Sequence, residues 1–507
     1  MKKIIDFNQL NKISTKIKKE KKKIALCHGV FDLLHVGHIK HFEAAKKISD
    51  CLIVSITSDQ FVNKGIGRPA FKENLRAEVI SALECVDYVV ISNFASSIPV
   101  INEIKPSFYC KGNEYRNEKD DVTGKIKHET LAVKKNGGKI FFTDEITFSS
   151  SNLINNHFKN TSESQKKLIS DINKKISFKN ILKKINELKK IKVLIIGEFI
   201  VDEYNFCEAL GKSGKEPVLA MKAIFKETYL GGSLAIARHL SSFVDSQINL
   251  LGALGEKCEM KRKILHDLPK NINLNYIKKT NSPTIIKRRF LDHLTKNKIL
   301  GVYSINDDVL NKKNEKEFHS KLKKLIKKSD LVIVSDYGHG LISKESASLI
   351  CKKSNFLAVN AQLNASNIGF HTLRNYKNVN VVIINEGELR HELRDRNSPV
   401  KGLMKNFSNS QNIKYLIVTK GTEGSILYDK KNNIYFESIA YAQKAVDKIG
   451  AGDAMLALLS AFIYKNFPKE FSLLVGSLAG AYSVQSLGNK ESIKKIDIIK
   501  HIEHLLK

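Results

Sequence analysis

Several features that would assign this chain of 507 residues to a class are missing from it. No run reaches the roughly 18 apolar residues of a membrane-spanning helix, and the basic N-terminus lacks the continuous apolar segment of a secretory signal. The seven cysteines are an odd number, and no C-x-x-C pair occurs. This usage argues against a disulfide framework and a zinc site, and it predicts a reducing, cytoplasmic setting.

Acidic residues are scarce, since 52 Asp and Glu stand against 84 Lys and Arg, a net charge of +32. Only 11 of the basic residues are arginine, and the arginine clusters with interleaved aromatics that favour nucleic-acid binding are not evident. We therefore expect no nucleic-acid partner. A solvated lysine surface explains the charge, and a field that attracts nucleotides and sugar phosphates is the alternative.

Hydrophobic residues make up 42% of the chain, enough for more than one core. Two regions begin alike, with apolar strand-like runs at 24–27 before Gly29 and at 193–196 before Gly197. After each, apolar runs alternate with helical patterns, which predicts an α/β fold with two doubly wound domains and mainly parallel sheets. The predicted segments are a first domain at 20–158, a linker with amphipathic helices at 159–190, and a second domain at 191–507.

The first glycine turn lies in the string H-G-V-F-D-L-L-H-V-G-H, residues 28–38. The pattern predicts a helix that begins near Val36 and runs through Lys47. A helix start offers free backbone N–H groups and the positive end of its dipole, so it favours an anion. His35 and His38 are three residues apart, so both imidazoles can donate hydrogen bonds to one phosphate. The alternatives are a capping histidine beside an exposed one, or a zinc pair, for which no third ligand is near in sequence.

The string resembles the cytidylyltransferase-like nucleotidyltransferases, whose pattern is G-x-F-D-x-x-H-x-G-H. The resemblance extends over residues 20–158 and implies a Rossmann-like fold. It implies that a sugar or polyol phosphate attacks the α-phosphorus of a nucleoside triphosphate and releases pyrophosphate. The catalytic residues it implies are His35 and His38. The nucleotide-binding residues it implies are Gly29, Phe31, Asp32, Gly37, Lys46, Lys111, Ser149, Ser150 and Ser151.

A second helix start of this kind lies near the C-terminus, where G-A-G-D at 450–453 precedes an apolar run through Phe462. The run predicts a buried helix. The small residues before it can present backbone N–H groups to a transferring phosphoryl group, and Asp453 can take the proton of an attacking hydroxyl. Taken alone, the motif also fits a glycine turn with Asp453 as a helix cap.

Residues 190–507 resemble the ribokinase-like sugar kinases, most closely their heptose-phosphate kinase branch. The shared motifs are G-E-x-x-x-D, a glycine pair, S-D-Y-x-x-G, N-x-x-E and T-K-G-x-x-G. The resemblance implies that Asp453 is the general base. The nucleotide-binding residues it implies are Thr419, Gly421, Gly424, Gly450, Ala451 and Gly452. The substrate-binding residues it implies are Asp202, Gly231, Gly232, Asn385 and Glu388.

The kinase pattern is broken at four positions. Ile449 stands where a threonine precedes G-A-G-D, and His339 replaces a lysine. Asn360 and Gln362 stand where D-P-K is usual. These changes remove charge and hydroxyl groups, so they indicate a different acceptor or a weakened kinase. The asparagine-rich segment 360–375 fits a sugar pocket and a solvated loop equally.

The pairing resembles the bifunctional enzymes of ADP-heptose synthesis, with the halves in reverse order. It implies a kinase that phosphorylates a heptose-like sugar with ATP and a transferase that couples the product to ATP or CTP, with Mg²⁺ at both sites and a homo-oligomeric chain. Lys287, Arg288 and Arg289 fit either a sugar-phosphate site or a charged strand end. The alternatives are a cytidylyltransferase for another sugar or polyol phosphate with a degenerate kinase domain, and a basic nucleic-acid-binding protein on enzyme-derived folds.

Overall fold

The computed structural model describes residues 3–113, 116, 124–143, 163–368, 372–442 and 445–506. By its internal contacts the chain divides into two units, residues 1–163 with 499–507, and residues 164–498. Both units are α/β with mainly parallel sheets, which confirms the predicted fold class. Within the described ranges, no helix is both long and apolar enough to cross a membrane.

The first unit contains one parallel sheet. Its strands are β1 (Ile4–Ile5), β2 (Ile24–Gly29), β3 (Cys51–Thr57), β4 (Tyr88–Ser92), β5 (Phe108–Gly112) and β6 (Lys139–Thr143). They lie in the order β1-β4-β3-β2-β5-β6. Its helices are α1 (Leu10–Lys19), α2 (Val36–Lys47), α3 (Glu73–Ser81), α4 (Ile98–Ile104) and α5 (Lys125–Lys135).

Strand β2 is the centre of this sheet, because the order of the strands reverses beside it. Residues 24–27 are completely buried, as expected for a parallel strand with a packed core on each face. The next strand in sequence, β3, pairs on one side of β2, and β5 pairs on the other. Ligands bind at such a reversal, outside the carboxyl ends of the strands. The motif at 28–38 begins at this point.

The second unit is larger and starts with two helices, α6 (Glu163–Lys175) and α7 (Phe178–Leu188), in the segment predicted as a linker. Its strands are β7 (Val193–Gly197), β8 (Phe199–Lys212), β9 (Leu219–Gly232), β10 (Ile248–Gly255), β11 (Ile272–Lys279), β12 (Ile285–Asp292), β13 (Lys298–Ser304), β14 (Leu331–Asp336), β15 (Leu357–Ala361), β16 (Val381–Asn385), β17 (Tyr415–Thr419), β18 (Ser425–Asp429) and β19 (Ile434–Ser438). Its other helices are α8 (Ser233–Ser241), α9 (Lys261–Asp267), α10 (Lys312–Ile326), α11 (Lys344–Lys353), α12 (Glu386–Leu393), α13 (Val400–Gln411), α14 (Ala451–Tyr464) and α15 (Lys469–Ser483). The last helix, α16 (Lys495–Leu506), begins in the second unit, and its residues from 499 onward belong to the first.

Two sheets share these strands. The main sheet has the order β11-β10-β7-β14-β15-β16-β17-β18-β19, and only its last two pairings are antiparallel. The small sheet has the order β13-β12-β8-β9. A single residue, Glu198, joins β7 of the main sheet to β8 of the small one. The motif residues of the second unit therefore come from two sheets that meet at Glu198 and at the start of α8.

Candidate active sites

His35 begins helix α2, and its ring is held in one tautomer. The residue is extended and caps the helix, and its Nδ1 accepts a hydrogen bond from the Gly37 N–H at 3.1 Å. Since Nδ1 accepts, the ring proton of a neutral imidazole must be on Nε2. That Nε2 is buried and has no hydrogen-bond partner among the described residues. His35 therefore combines the capping role and the free donor that the sequence left as alternatives.

His38 lies against His35 in a stack. The ring centroids are 3.9 Å apart and the planes differ by 24°, so the two imidazoles share one side of the first turn, as predicted. Burial lowers the pKa of His38 to about 3, helped by the charges of His35 and Lys64. Burial also lowers the pKa of His35. Both rings are therefore neutral near pH 7, and they act as dipolar donors rather than as cations.

Phe31 packs against the His38 ring, and the absence of a side chain at Gly29 leaves room for Phe31. Phe31 has a left-handed backbone and packs its ring edge-on to His38, with the centroids 5.2 Å apart. A side chain at Gly29 would come within 3.0 Å of the Phe31 ring. The Phe31 side chain lies in the core of the first unit, so its ring has a packing role, and the nucleotide contact of this residue stays a prediction.

Asp32 is also occupied by the protein itself. Its carboxylate accepts hydrogen bonds from the backbone of Ala70 and Phe71 at 2.7 and 3.1 Å, and from Arg68 Nη1 at 3.1 Å. The residue is 2% exposed, and its carboxylate ties the loop after β3 to the motif. The nucleotide contact of Asp32 stays a prediction.

The same loop brings in a cation that the sequence prediction omitted. The charge of Lys64 lowers the pKa of both His35 and His38, so this lysine acts electrostatically on the pair. Burial lowers the pKa of Lys64 itself to about 8, against the charge of Asp32. Lys64 is thus a candidate phosphate contact. The feature of the sequence that could have identified Lys64 is its position, shortly after β3 and within the stretch that resembles the nucleotidyltransferases.

The remaining predicted residues of the first unit divide into three cases. Lys46 lies in the last turn of α2 and donates to Asp87 at 2.6 Å and to the Asp50 carbonyl at 2.8 Å, far from the helix start. We therefore remove it from the nucleotide site. Lys111, at the end of β5, lies 3.3 Å from the Glu129 carboxylate at the strand-order reversal. Ser149, Ser150 and Ser151 lie outside the described residues.

The second site begins at the N-terminus of α14, which contains the predicted apolar run in a fully buried form. Gly450 has a φ of +91°, and a side chain there would meet Asn489 Oδ1 at 2.1 Å. A side chain at Gly452 would meet nothing within 4 Å. The helix start is therefore open on the side of Gly452, and the first N–H groups of α14 are available to a phosphoryl group.

Asp453 lies in the first turn of α14 and carries a perturbed carboxyl. Burial raises its pKa to about 7, and the hydrogen bond from Tyr337 opposes the rise. The Tyr337 hydroxyl donates to Asp453 Oδ1 at 2.6 Å. A carboxyl that titrates near neutral pH is suited to accept the proton of a hydroxyl. The geometry therefore supports the predicted base.

The small sheet supplies the facing wall. Asp202 on β8 accepts a hydrogen bond from Arg289 Nη1 at 2.5 Å. The β8–β12 register places Lys287 and Arg289 on the face of Asp202, whereas Arg288 pairs with Glu203 on the other face. The basic triplet that the sequence left open thus splits, with two cations inside the site and one outside.

The glycine pair before α8 is required by close packing. A side chain at Gly231 would come within 2.1 Å of Asp202 Oδ2. Gly232 has a φ of +60°, and a side chain there would meet the Glu198 carbonyl at 2.6 Å. Gly231 therefore leaves the Asp202 carboxylate room, and Gly232 makes the turn from β9 into α8.

The residues predicted to bind the nucleotide and the substrate near β16 and β17 fall into two groups in the structure, those beside open space and those packed against the protein. Thr419 ends β17, and a side chain at Gly421 would meet nothing within 4 Å, so this turn borders open space. Gly424 instead packs its α-carbon against the Ser438 carbonyl. Asn385 and Glu388 form a capping box at α12, in which each side chain accepts the other's backbone N–H at 2.8 Å. Gly424, Asn385 and Glu388 therefore have structural partners in the protein, and their binding roles stay predictions.

Comparison with known proteins assigns the second unit to a protein family. Residues 190–496 match the family model described as pfkB family carbohydrate kinase. The chain belongs to the pfkB family of carbohydrate kinases. Phosphofructokinase-2 from Escherichia coli, in its crystal structure with potassium, superposes on this pfkB kinase with a TM-score of 0.50 at 16% identity, over 62% of this chain and all of that one. This likeness shows the fold.

The first unit of the chain matches a second family model, described as cytidylyltransferase-like, over residues 26–156. The Bifunctional protein HldE of Rhodopseudomonas palustris is 43% identical over 124 residues, 24% of each chain. That of Aliarcobacter butzleri is 38% identical over 135 residues, 26% of this chain and 28% of its own. The chain spans about a quarter of the length of these curated relatives. The two family matches confirm the predicted order of the halves.

At two of the four departures, His339 and Asn360, the side chain itself has a defined contact. His339 Nδ1 lies 2.6 Å from Asp307 Oδ1. Asn360 donates to the Ile383 carbonyl at 2.8 Å. The Ile449 N–H donates to Asp447 at 3.1 Å. The side chains of His339 and Asn360 are therefore held by protein partners, whereas the bond at Ile449 is a backbone bond that does not depend on its side chain.

Proposed function

We propose that this chain is a bifunctional enzyme of sugar-nucleotide synthesis, in which the second unit phosphorylates a sugar and the first couples the product to a nucleotide. The observation that carries the proposal is the pair of helix starts, one beside the stacked imidazoles and the other beside a carboxylate that titrates near pH 7. Each combines an anion site with the groups that its reaction requires. The matches to two enzyme families support the same pairing.

At the first site, an oxygen of the sugar phosphate attacks the α-phosphorus of a nucleoside triphosphate. A new phosphorus–oxygen bond forms, the bond to the β-phosphate oxygen breaks, and pyrophosphate leaves with the electron pair. His35 Nε2–H and the His38 ring donate hydrogen bonds to the phosphate oxygens, where negative charge builds. Lys64 adds a cation beside them.

At the second site, Asp453 takes the proton of a sugar hydroxyl while that oxygen attacks the γ-phosphorus of ATP. A new phosphorus–oxygen bond to the sugar forms, the bond from the γ-phosphorus to the β-phosphate oxygen breaks, and ADP leaves with the electron pair. The backbone N–H groups at the start of α14 receive the transferring phosphoryl group. The described residues group no three metal-ligating side chains together. We therefore propose that Mg²⁺ enters on the nucleotide's phosphates, as it does where few protein carboxylates bind it.

The kinase acceptor is a sugar that already carries a phosphate, and heptose phosphate is the proposed substrate. Lys287 and Arg289 face the same interior as Asp202, and burial lowers the pKa of Lys287. Asp202 neutralises one of these two cations, and an anionic substrate would neutralise the other. We place both steps in the cytoplasm, which suits the seven free thiols of the chain.

The decisive test is a pyrophosphate-release screen of the four nucleoside triphosphates against a panel of sugar 1-phosphates, with ADP release measured in parallel on sugars and sugar phosphates. We expect one nucleotide to give pyrophosphate only when a sugar 1-phosphate is present. We also expect ADP release with a phosphorylated sugar. Pyrophosphate release without any acceptor, or release in neither assay, would contradict the proposal.

A second candidate is a nucleotidyltransferase for another sugar or polyol phosphate that has a degenerate kinase unit. The capping box at Asn385 and Glu388 and the changes at Ile449 and His339 favour it, because they remove ligands from the phosphate side. Pyrophosphate release with no ADP release on any acceptor would select this candidate.

We further propose that the chain is a homo-oligomer. Strand β13 is an edge of the small sheet, and its outward residues Leu300 and Val302 are 57% and 46% exposed. An exposed apolar edge strand is a template for pairing with a second chain.

Sedimentation tests this assembly, with the double variant Leu300→Glu, Val302→Glu as the probe. We expect the wild type to exceed the 57.1 kDa of one chain and the double variant to approach it. The exposed Val309→Glu serves as the matched control and should keep the wild-type mass. A monomeric wild type at micromolar concentration would refute the assembly.

A further inference from the structure

Tyr337 donates hydrogen bonds to two carboxylates of the second unit, to Glu198 through its backbone and to Asp453 through its hydroxyl. It follows β14 directly, its hydroxyl donates to Asp453 Oδ1 at 2.6 Å, and the residue is 5% exposed. Burial, followed by the charge of Asp453, raises the pKa of Tyr337 well above its usual value. The phenol therefore keeps its proton and remains a donor throughout the working pH range.

The backbone of Tyr337 is fixed at both ends. Its N–H donates to the Glu198 carboxylate at 3.0 Å. Its carbonyl accepts two side-chain amides, Asn364 Nδ2 at 2.7 Å and Asn367 Nδ2 at 2.9 Å. Asn367 is 4% exposed and also donates to the Gln362 carbonyl at 3.0 Å. These amides of the asparagine-rich segment therefore hold Tyr337, a use that differs from both interpretations the sequence allowed.

Three groups from separate elements face Asp453. Tyr337 comes from the loop after β14, Asp202 from β8 and Lys287 from β12. The Lys287 ammonium lies 5.5 Å from the centroid of the Tyr337 ring. Of the three, only Tyr337 donates a hydrogen bond to the carboxylate in the structure. It is therefore the group that fixes the direction of the carboxylate.

We propose that Tyr337 is the positioning residue of the kinase base, held in place by Asn364 and Asn367. Because the phenol occupies Oδ1, the other oxygen of Asp453 is left to receive the proton of the sugar hydroxyl. The phenol also favours the ionised carboxylate, which is the form that can accept a proton. This inference rests on the proposed kinase reaction with Asp453 as its base.

The test is the variant Tyr337→Phe, which keeps the ring and removes only the hydroxyl. We expect kcat for ADP release at pH 7 to fall about tenfold while KM stays close to wild type. The acidic limb of the kcat–pH profile should move up by about one pH unit, since a donor to a charged group is lost. An unshifted limb, or a change confined to KM, would overturn the proposal.

The chain offers a matched control in Tyr376→Phe. The buried Tyr376 hydroxyl donates to Asp336 Oδ2 at 2.6 Å, so this variant removes the same type of bond away from the base. It should leave the pH limb in place. A shift of equal size in Tyr376→Phe would overturn the proposal, because it would show a general loss of packing.

Direct titration makes the result independent of turnover. In protein labelled with ¹³C at aspartate carboxyls, the Asp453 signal is the one missing from Asp453→Asn. We expect that signal to titrate about one unit higher in Tyr337→Phe than in the wild type. An unchanged pKa of Asp453 in Tyr337→Phe would refute the positioning role of Tyr337 and leave the proposed kinase reaction untouched. Full phosphorylation by Asp453→Asn would instead remove the base on which it rests.

Discussion

Replacing His38 with alanine should lower pyrophosphate release about a thousandfold while leaving ADP release by the kinase site unchanged. At comparable sites, removing one preorganised hydrogen-bond donor to a charge that develops in the transition state lowers the rate by roughly 10²–10³-fold. His38 also stacks on His35 at 3.9 Å, so its removal frees the partner ring as well. The measurement is continuous detection of pyrophosphate, with ADP followed in the same preparation.

The matched control is His128→Ala, an exposed histidine on α5 of the same unit. It should retain the wild-type rate of pyrophosphate release. If His38→Ala kept more than a tenth of the wild-type rate, the imidazole pair would not be the catalytic group. If it lost both activities, the two sites could not be independent.

Replacing Asp453 with asparagine should give the opposite pattern, with phosphorylation of the sugar reduced about a thousandfold and pyrophosphate release intact. The substitution keeps the size of the side chain and removes the proton acceptor, which is worth roughly 10²–10⁴ in rate. The measurement is ADP formed per mole of acceptor. Asp171→Asn on α6, a partly exposed aspartate of the same unit, is the control and should be fully active.

The wild-type kinase rate should also report the ionisation of Asp453. Its pKa is raised to about 7, and only the ionised form accepts a proton, so kcat should rise through pH 7 and level off above it. If kcat for ADP release stayed constant between about pH 5 and pH 8, a group other than Asp453 would limit the reaction. An unchanged phosphorylation rate in Asp453→Asn would remove this residue as the base.

Local sequence predicted the elements that carry the chemistry. The apolar run before Gly29 and the string after it predicted β2 and a helix at 36–47, and α2 has those bounds. Periodicity and helix-start signals depend on neighbouring residues, so one sequence suffices for them. The spacing of His35 and His38 predicted that they share one side of the first turn, and the structure adds that their rings stack.

Residues whose partners are distant in sequence could not be assigned in this way. Asp32 is held by residues 68–71, and Lys46 by Asp87, 41 positions away. Tyr337 meets Asp453 across 116 positions. A motif indicates which side chains are present, whereas their partners are set by the sheet order, and the order was not readable from the sequence.

The division of Lys287, Arg288 and Arg289 shows the same limit. Alternation along a strand predicts that the first and third share a face. Which face is inward depends on the pairing of β12 with β8, which brings Lys287 opposite Asp202. The sequence could therefore separate the triplet but could not say which of its members enter the site.

Burial of the imidazole stack has a consequence for the pathway as a whole. With its pKa near 3, the His38 imidazole does not change protonation over the range in which a cell acidifies, whereas the Asp453 carboxyl does. In the proposed two-step function, acid stress would therefore slow the phosphorylation step more than the nucleotidyl transfer step. The phosphorylated intermediate would drain under those conditions and would not pool.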